Sequence, residues 1–415
     1  MKALIIGGGA SGLMCASLLS KNNIEVILIE KNEKLGKKLF ITGKGRCNIT
    51  NECDIQTFFS NIVNNSKFMY SAVNGFTPQD TMSFFDENSL KLKVERGNRV
   101  FPQSDKSSDV IKCFEKILSR NGVEVRLNTT VKQILTDDNK KVIGVKIDTG
   151  EQILADCIVV ATGGMSYQST GSTGDGYKWA KDFGHNVIDL RPALVPILLK
   201  EQYGLQGLSL KNVNAKIFRD GKCLCSQFGE MLFTHSGVSG PIILSLSSMI
   251  NKYYTNGRFD SKYKLVVDLK PALNEDVLDN RLLREFAQKP NAEVKNVLVS
   301  LMPKSLVEVV LSQSGLSGKR SVNSITKEQR EKIVYTIKNI EFTITGLENI
   351  NAGIITAGGV DCKQIDPKTM MSRLVKDLYF IGEVLDIDAL TGGFNLQLAF
   401  STAHQAYKSI IGNAN

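Results

Sequence analysis

The first thirty residues contain the feature that most restricts the fold of this chain, a glycine-rich turn between a strand and a helix. The apolar run Lys2 to Ile6 predicts a buried strand, Gly7 to Gly12 the turn, and an amphipathic run to Lys21 the helix. A second apolar strand follows and ends at Glu30. Backbone N–H groups of such a turn approach a pyrophosphate at the positive end of a helix, and a carboxylate at this spacing accepts ribose hydroxyls. We therefore expect a βαβ unit that binds a dinucleotide through Gly7, Gly9, Gly12 and Glu30.

The length and composition indicate a large globular protein. A chain of 415 residues exceeds the length at which single cores stop growing, so two or more domains are expected. Hydrophobic residues make up 42% and charged residues 22%, but no stretch is apolar for long enough to form a membrane helix. The first strand begins at Lys2 and lacks the features of a secretory signal. We expect a cytoplasmic protein without a membrane partner.

Charge and cysteine content exclude some classes of site. The net charge of +9 suits an anionic ligand, but the lysines are spread along the chain. The lack of a basic block with interleaved aromatic residues disfavours a nucleic-acid partner. Eight cysteines occur without CxxC pairs, and no HExxH motif is present, so neither a disulfide framework nor a metal site is expected.

The order of apolar segments predicts an α/β fold, a doubly wound layer interrupted by an insert. Asp156 to Ala161 and Leu378 to Ile381 are continuous apolar strands that end in glycines, as buried strands of parallel sheets do. Short antiparallel strands begin after Pro192, and a polar helical run begins at Asn274. We expect a first domain of residues 1–192 and 345–415, and an inserted domain of residues 193–344 with a helical part at about 274–338. A cleft between the two would form a binding site.

Four segments that are distant in sequence place glycines at strand ends or helix starts. They are Gly7 to Gly12, Thr42 to Asn48, Thr162 to Gly164, and Gly382 to Glu383 with Gly392 to Asn395. In an open α/β sheet such segments converge at the carboxyl ends of the strands. FAD is long enough to contact all four, whereas NAD needs no C-terminal contribution. The N–H groups of Asn395 and Leu396 at the last helix would stabilise negative charge on reduced flavin by about 0.3–2 kcal/mol.

Several motifs together resemble the BaiN-like, aminoacetone-oxidase-like FAD-dependent oxidoreductases, and the resemblance covers nearly the full length. The motifs are Gly7 to Gly12, Ile41 to Asn51, Val100 to Ser104, Ala161 to Gly164, Thr170 to Gly176, Phe233 to Pro241, and Gly382 to Asp388 with Gly392 to Gln397. The Gly-Lys-Gly-Arg-Cys-Asn and Gly-Gly-Phe-Asn-Leu-Gln stretches are the most specific of these.

This resemblance implies a Rossmann-type FAD-binding domain built from both chain ends, with an inserted β-barrel and a small helical subdomain. Members of the family are linked to reduction of conjugated double bonds in oxidised bile acids and to amine oxidation. The resemblance places these residues around FAD: Ser11, Glu30, Lys38, Gly43, Lys44, Gly45, Arg46, Cys47, Asn48, Val131, Asp386, Asn395, Leu396 and Gln397. We add Thr162, Gly163 and Gly382 from the convergence of the strand ends.

The catalytic side chains remain unassigned. Tyr167 and His235 are the first to test as proton donors, because hydride passes to and from the flavin itself. Cys47 and Cys53 invite a redox-active pair, but five residues separate them on a segment that is a poor helix former, which favours a structural Cys47.

Three functions stay open. The first is NAD(P)H-dependent reduction of a conjugated C=C bond, although Gly171 to Gly176 lacks the preceding strand of a second dinucleotide site. The second is oxidation of an amine with dioxygen. The third is an RNA-associated flavoprotein, for which the net charge of +9 is the argument. The substrate and the oligomeric state stay undetermined.

Overall fold

The computed structural model describes residues 1–22, 24–254, 257–260 and 262–414. The chain forms two compact units. The first comprises Met1–Ala193 with Asn349–Asn415, and the second is the continuous segment Leu194–Glu348.

The N-terminal segment of the first unit alternates strands with helices. Its strands are β1 (Lys2–Ile6), β2 (Glu25–Ile29), β3 (Thr50–Asn51), β4 (Ile62–Asn64), β5 (Leu92–Glu95), β6 (Arg99–Pro102), β7 (Glu124–Arg126), β8 (Val131–Thr136), β9 (Val142–Ile147), β10 (Gln152–Leu154), β11 (Cys157–Val160) and β12 (Val187–Ala193). Its helices are α1 (Ala10–Leu19), α2 (Lys37–Gly45), α3 (Ile55–Ser60), α4 (Tyr70–Gly75), α5 (Pro78–Glu87), α6 (Ser107–Arg120) and α7 (Asp175–Asp182).

The second unit contains strands β13 to β18 and helices α8 to α12. The strands are β13 (Ile197–Leu199), β14 (Ser209–Arg219), β15 (Lys222–Phe233), β16 (Gly237–Ser239), β17 (Tyr263–Asp268) and β18 (Ile340–Leu347). The helices are α8 (Pro241–Ile250), α9 (Glu275–Gln288), α10 (Val294–Leu298), α11 (Lys304–Gln313) and α12 (Lys327–Lys338). The C-terminal segment then returns to the first unit with β19 (Ile355–Val360), β20 (Leu378–Phe380), β21 (Asp388–Ala389) and α13 (Phe394–Ala414).

A five-stranded parallel sheet forms the centre of the first unit, in the order β20-β11-β1-β2-β7. The strands β11 and β20 are buried along their whole length, because both faces of a parallel sheet are covered. β20 pairs with β11, so the C-terminal segment completes a sheet that the N-terminal segment begins. This confirms the predicted Rossmann-type domain built from both ends of the chain.

Six antiparallel strands of the second unit close into a barrel in the order β13-β16-β15-β14-β17-β18. Their inward side chains alternate with exposed ones, as in β14, where Val213, Ala215 and Ile217 are buried. The helices α9 to α12 contribute to the same hydrophobic core, for example through Leu282 and Ile333. The predicted β-barrel with a helical part is confirmed. In the described part of the chain, no helix has the length and apolar character needed to cross a membrane.

Candidate cofactor site

The predicted glycine segments meet at one edge of the parallel sheet. β1, β11 and β20 run in the same direction, so the residues that follow them lie together. A Cβ atom added to Gly7 would lie 2.5 Å from the carbonyl oxygen of Ala161, and one added to Gly382 would lie 2.6 Å from the Ser11 Oγ. The backbone segments after these three strands are therefore in direct contact around the start of α1.

The carboxylate of Glu30 organises the glycine turn. Its Oε2 accepts a hydrogen bond from the backbone N–H of Gly8 at 2.8 Å. Its Oε1 accepts from the backbone N–H and the side-chain amide of Asn32, at 2.8 and 2.7 Å. A carboxylate has about four acceptor positions, so these three bonds leave capacity for one more donor. The predicted contact between Glu30 and a ribose stays a prediction.

The C-terminal part of α2 is kinked at Thr42 to Lys44, and this part and the residues after it have an unusual backbone. Gly43, Lys44, Gly45 and Cys47 all have positive φ values, between 57° and 82°. Because side chains disfavour this region, a run of such residues indicates a backbone shape held by its surroundings. The Oδ1 atom of Asn48 at the end of this segment is buried and has no hydrogen-bond partner among the described residues.

The Arg46 side chain forms ion pairs within the protein, and the Cys47 side chain is buried. The Arg46 Nε donates to Asp105 Oδ1 at 2.7 Å, its guanidinium also pairs with Glu95, and it lies 4.2 Å from the ring centroid of Phe101. The hydrogen bonds to the two carboxylates raise the pKa of Arg46 above its usual range. Burial raises the pKa of Cys47 to about 12. Cys47 is therefore a thiol near neutral pH, which favours its structural interpretation over a redox role.

Lys38 forms a polar cluster with the segments after β11 and β20. Its Nζ lies 2.6 Å from Glu383 Oε2 and donates to the Ser166 Oγ at 2.7 Å. Glu383 Oε1 also accepts from the backbone N–H of Thr356 at 2.9 Å. Sequence reasoning placed Lys38 at the cofactor but did not identify Glu383 as its partner, because the two are far apart in the chain.

The turn at the start of α13 packs directly against the strand β3. The side-chain amide of Asn51 donates to the Gly392 carbonyl oxygen at 3.0 Å, and a Cβ atom on Gly393 would collide with the Thr50 carbonyl oxygen. The first intrahelical bond runs from the Gln397 N–H to the Gly393 carbonyl, so the N–H groups of residues 394–396 have no acceptor within the helix. This is the predicted positive helix end.

The other predicted residues of α13 and the preceding turn have internal partners. The Asn395 side chain accepts from the Ala389 N–H at 2.9 Å and so shapes the turn before the helix. Gln397 is fully buried and bonds to Thr50 at 2.6 Å and to the Phe76 carbonyl at 3.0 Å. These two side chains position the helix, whereas its backbone N–H groups are the ones available to a ligand.

Two aspartates precede this helix, the half-buried Asp386 and the buried Asp388. Asp386 Oδ2 accepts from Asn65 at 2.9 Å, but its Oδ1 is buried without a hydrogen-bond partner among the described residues. Burial raises the pKa of Asp386 and raises that of Asp388 to about 7. Asp388 is fully buried and accepts from the Asn64 amide.

Sequence reasoning missed the segment Thr170 to Asp175 as a neighbour of Glu30. Asn32 donates to the Thr170 carbonyl at 3.0 Å, and Lys31 pairs with Asp175 at 2.7 Å. The stretch 171–176 is rich in glycine but has no strand directly before it. That feature of the sequence could have indicated that this loop packs against another segment. Its position beside Glu30 places it at the adenosine end of the predicted site.

The remaining candidates lie in different places. Val131 is buried at the start of β8, and Thr162 and Gly163 directly follow β11. Tyr167 is half-buried in a left-handed conformation, next to Ser166 of the Lys38 cluster. His235 is exposed on the turn between β15 and β16 of the barrel unit.

The residues at this sheet edge fit FAD. Gly9 and Gly45 have open space where a Cβ atom would lie, so a ligand can approach their backbone. The unpartnered buried oxygens of Asn48 and Asp386 are suited to the hydroxyl and N–H groups of such a ligand. The start of α13 supplies N–H donors at the other end of the site.

Comparison with known proteins agrees with this geometry. Residues 1–409 match the family described as HI0933-like protein Rossmann domain. The chain belongs to this family. HI0933-like proteins have a Rossmann FAD-binding domain, and the chain is accordingly an FAD-dependent oxidoreductase, as the sequence motifs predicted.

Two curated HI0933-like relatives match over almost their entire length. The chain is 31% identical over 410 residues to the ribosomal RNA dihydrouridine synthase of Haemophilus influenzae, covering 98% of both chains. It is 30% identical over 407 residues to the 3-dehydro-bile acid delta(4,6)-reductase of Clostridium scindens, covering 97% of both. Among solved structures, the 3-ketosteroid delta1-dehydrogenase of Sterolibacterium denitrificans is similar in fold, with a TM-score of 0.54, 12% identity and 99% of both chains covered.

Proposed function

We propose that this protein reduces a C=C bond conjugated to a carbonyl, with uridine of ribosomal RNA as the substrate and NAD(P)H as the electron donor. The names of the two relatives describe one type of reaction. Dihydrouridine forms when the double bond of uracil, which is conjugated to a ring carbonyl, gains two hydrogens. A delta(4,6)-reductase acting on a 3-dehydro compound also reduces double bonds conjugated to a carbonyl.

The distribution of charge is the observation that favours RNA. The segment 194–348 has 21 Lys and Arg residues against 15 Asp and Glu, a net charge of +6 out of the +9 of the whole chain. This segment is the barrel unit, which holds fewer than half of the residues. A concentrated positive charge attracts a polyanion and speeds its association.

The reaction needs one hydride and one proton for each double bond. Bound FAD would supply the chemistry of hydride transfer between NAD(P)H and the substrate, and a proton from a side chain or water would complete the reduction. The glycine turn and Glu30 would hold the adenosine and pyrophosphate. The N–H groups at the start of α13 would stabilise negative charge on the cofactor. Tyr167 and His235 remain the first candidates for the proton donor.

The test is an anaerobic incubation of the purified holoenzyme with NADPH and ribosomal RNA transcribed in vitro. We expect the yellow colour to bleach with NADPH and to return when RNA is added, and a uridine to gain two hydrogens by mass spectrometry of the digested RNA. Unchanged RNA after complete bleaching would refute the RNA substrate.

A bile-acid-type enone is the second candidate, because the Clostridium scindens relative is nearly as similar as the dihydrouridine synthase. A 3-oxo-4,6-diene steroid acid in the same assay tests it. Peroxide produced from aminoacetone in air, with no bleaching by NADPH, would instead support the amine oxidase.

A further inference from the structure

The barrel unit contains a cavity of about 610 Å³ at the ends of β14 and β17. Arg219, the last residue of β14, is paired in register with Tyr263, the first residue of β17. Lys252 and Arg258 line the same cavity, and Asp260 is its acidic member. Three cations against one carboxylate make this a positively charged cavity within an already basic unit.

Aromatic rings form the floor of this cavity. The rings of Phe259 and Tyr263 are buried, with centroids 4.7 Å apart. Tyr253 packs against Tyr263 at a centroid distance of 6.3 Å and is half-buried. A half-buried tyrosine beside buried aromatic rings is the type of side chain on which a planar group stacks.

Two of the three cations lie over these rings, and Arg219 is also paired with the carboxylates of Asp260 and Asp220. The Arg219 guanidinium lies 5.1 Å from the Tyr263 centroid, and the Lys252 Nζ lies 5.2 Å from that of Tyr253. Arg219 is 3.4 Å from Asp260, but its Nε is buried without a hydrogen-bond partner among the described residues. Lys252 and Arg258 are exposed, and neither forms an ion pair within the described ranges.

We propose that this cavity binds a nucleotide of single-stranded RNA, with the phosphate at Lys252, Arg258 and Arg219 and the base against Tyr253. Cationic side chains beside an aromatic face are the combination that binds single strands with little sequence preference. The inference rests on the proposed function, because the cavity would give the RNA substrate a contact outside the cofactor site. It assigns no role in the reduction itself to the cavity.

The test measures binding of the holoenzyme to a fluorescein-labelled, uridine-rich single-stranded RNA by anisotropy at several salt concentrations. The double variant Lys252→Gln, Arg258→Gln removes two exposed cations from the cavity. We expect about tenfold weaker binding near 0.1 M salt, and a plot of log affinity against log salt that is flatter by about 1 to 2. Tyr253→Leu should weaken binding about tenfold, while Tyr253→Phe, which keeps the ring, should bind like the wild type.

The matched control is Lys304→Gln, Lys332→Gln, which removes two exposed cations of the same unit that do not line the cavity. Equal losses in both double variants would overturn the cavity as a site and leave only general charge attraction. A higher KM for NADPH with unchanged RNA binding would also overturn it, because the ligand would then be the dinucleotide. If the wild type binds RNA and modifies it but the cavity variants behave normally, only this inference fails. If the wild type neither binds nor modifies RNA, the proposed function fails as well.

Discussion

The Nζ atom of Lys38 lies 2.6 Å from a carboxylate oxygen of Glu383, although 345 residues separate the two in sequence. The side chains are only 19% and 20% exposed, so salt screens this pair less than a surface pair. The pair joins α2, whose kinked end is part of the segment Thr42 to Asn48, to the turn after β20. One ionic contact therefore connects two segments of the candidate cofactor site.

Replacing Lys38 by Met should lower the free energy of unfolding by about 1–3 kcal/mol, between the values for exposed and buried pairs. The reason is that the mostly buried carboxylate of Glu383 loses its counterion. Urea unfolding of the holoenzyme measures the change. Lys37→Met is the control, because Lys37 pairs with the exposed Glu33 at 3.2 Å and should cost less than about 1 kcal/mol. If Lys38→Met and Glu383→Gln have strictly additive effects, the two residues are not coupled.

Replacing Glu30 by Gln should raise the Kd for FAD by about 10- to 100-fold, since hydrogen bonds to a charged group contribute about 1.5–3 kcal/mol. The variant weakens the bond from the Gly8 N–H that shapes the turn. Titration of the apoprotein with FAD, followed by flavin fluorescence, measures the Kd. Glu33→Gln makes the same change of charge three residues away at a side chain that is 55% exposed. Equal Kd values for the two variants would rule out a specific role of Glu30.

Comparing Gly382→Ala with Gly97→Ala separates the effect of backbone strain from the effect of crowding at the site. Gly382 has a φ of 73° and an added Cβ would lie 2.6 Å from the Ser11 Oγ. Gly97 has a similar φ of 77° but open space around it. Gly97→Ala should therefore lower the stability only by the backbone strain, about 1 kcal/mol. Gly382→Ala should lower the stability more and should retain less FAD. Thermal unfolding and the flavin content after purification measure both effects. Equal losses would contradict a close approach between Gly382 and Ser11.

Local patterns explain why the central sheet could be predicted. The strands Lys2–Ile6, Cys157–Val160 and Leu378–Phe380 are short apolar runs that end in glycines, and their burial follows from that composition. The convergence of their carboxyl ends then follows from the topology of any parallel sheet. The last helix was predicted to start at about Asn395 and starts at Phe394, because the pair Gly392 and Gly393 marks its beginning.

The contacts that complete the site depend on partners that no local pattern reveals. Arg46 was predicted to lie at the cofactor, and its ion pairs with Glu95 and Asp105, which belong to other elements, could not be predicted with it. The helix Ser107–Arg120 was not predicted from the sequence, although its buried face is regular, because Lys106 at its start provides no side-chain cap. The cation-rich cavity of the barrel gathers residues from 219 to 263 that show no basic block in the sequence.

Asp388 should make the stability of the protein depend on pH. Burial raises its pKa to about 7, compared with about 3.9 in an unfolded chain. Between pH 4 and pH 7 the unfolded carboxyl group is ionised while the native one keeps its proton, so the native state binds more protons. Stability therefore falls as the pH rises through this window and levels off above it. The expected loss from this one group is about 2–4 kcal/mol.

The variant Asp388→Asn removes this titration and keeps an acceptor for the Asn64 amide. Urea unfolding at several pH values should give similar stabilities for variant and wild type at pH 4, with the variant gaining an advantage as the pH rises to 8. Asp86→Asn is the control, since this side chain is 63% exposed and pairs only with Lys91 in the described structure. A constant difference between Asp388→Asn and the wild type from pH 4 to 8 would mean that Asp388 ionises in the native protein as it does in the unfolded chain. In that case the buried carboxyl group before α13 would be an anion at every working pH, and it would repel the negative charge that the start of this helix is placed to stabilise.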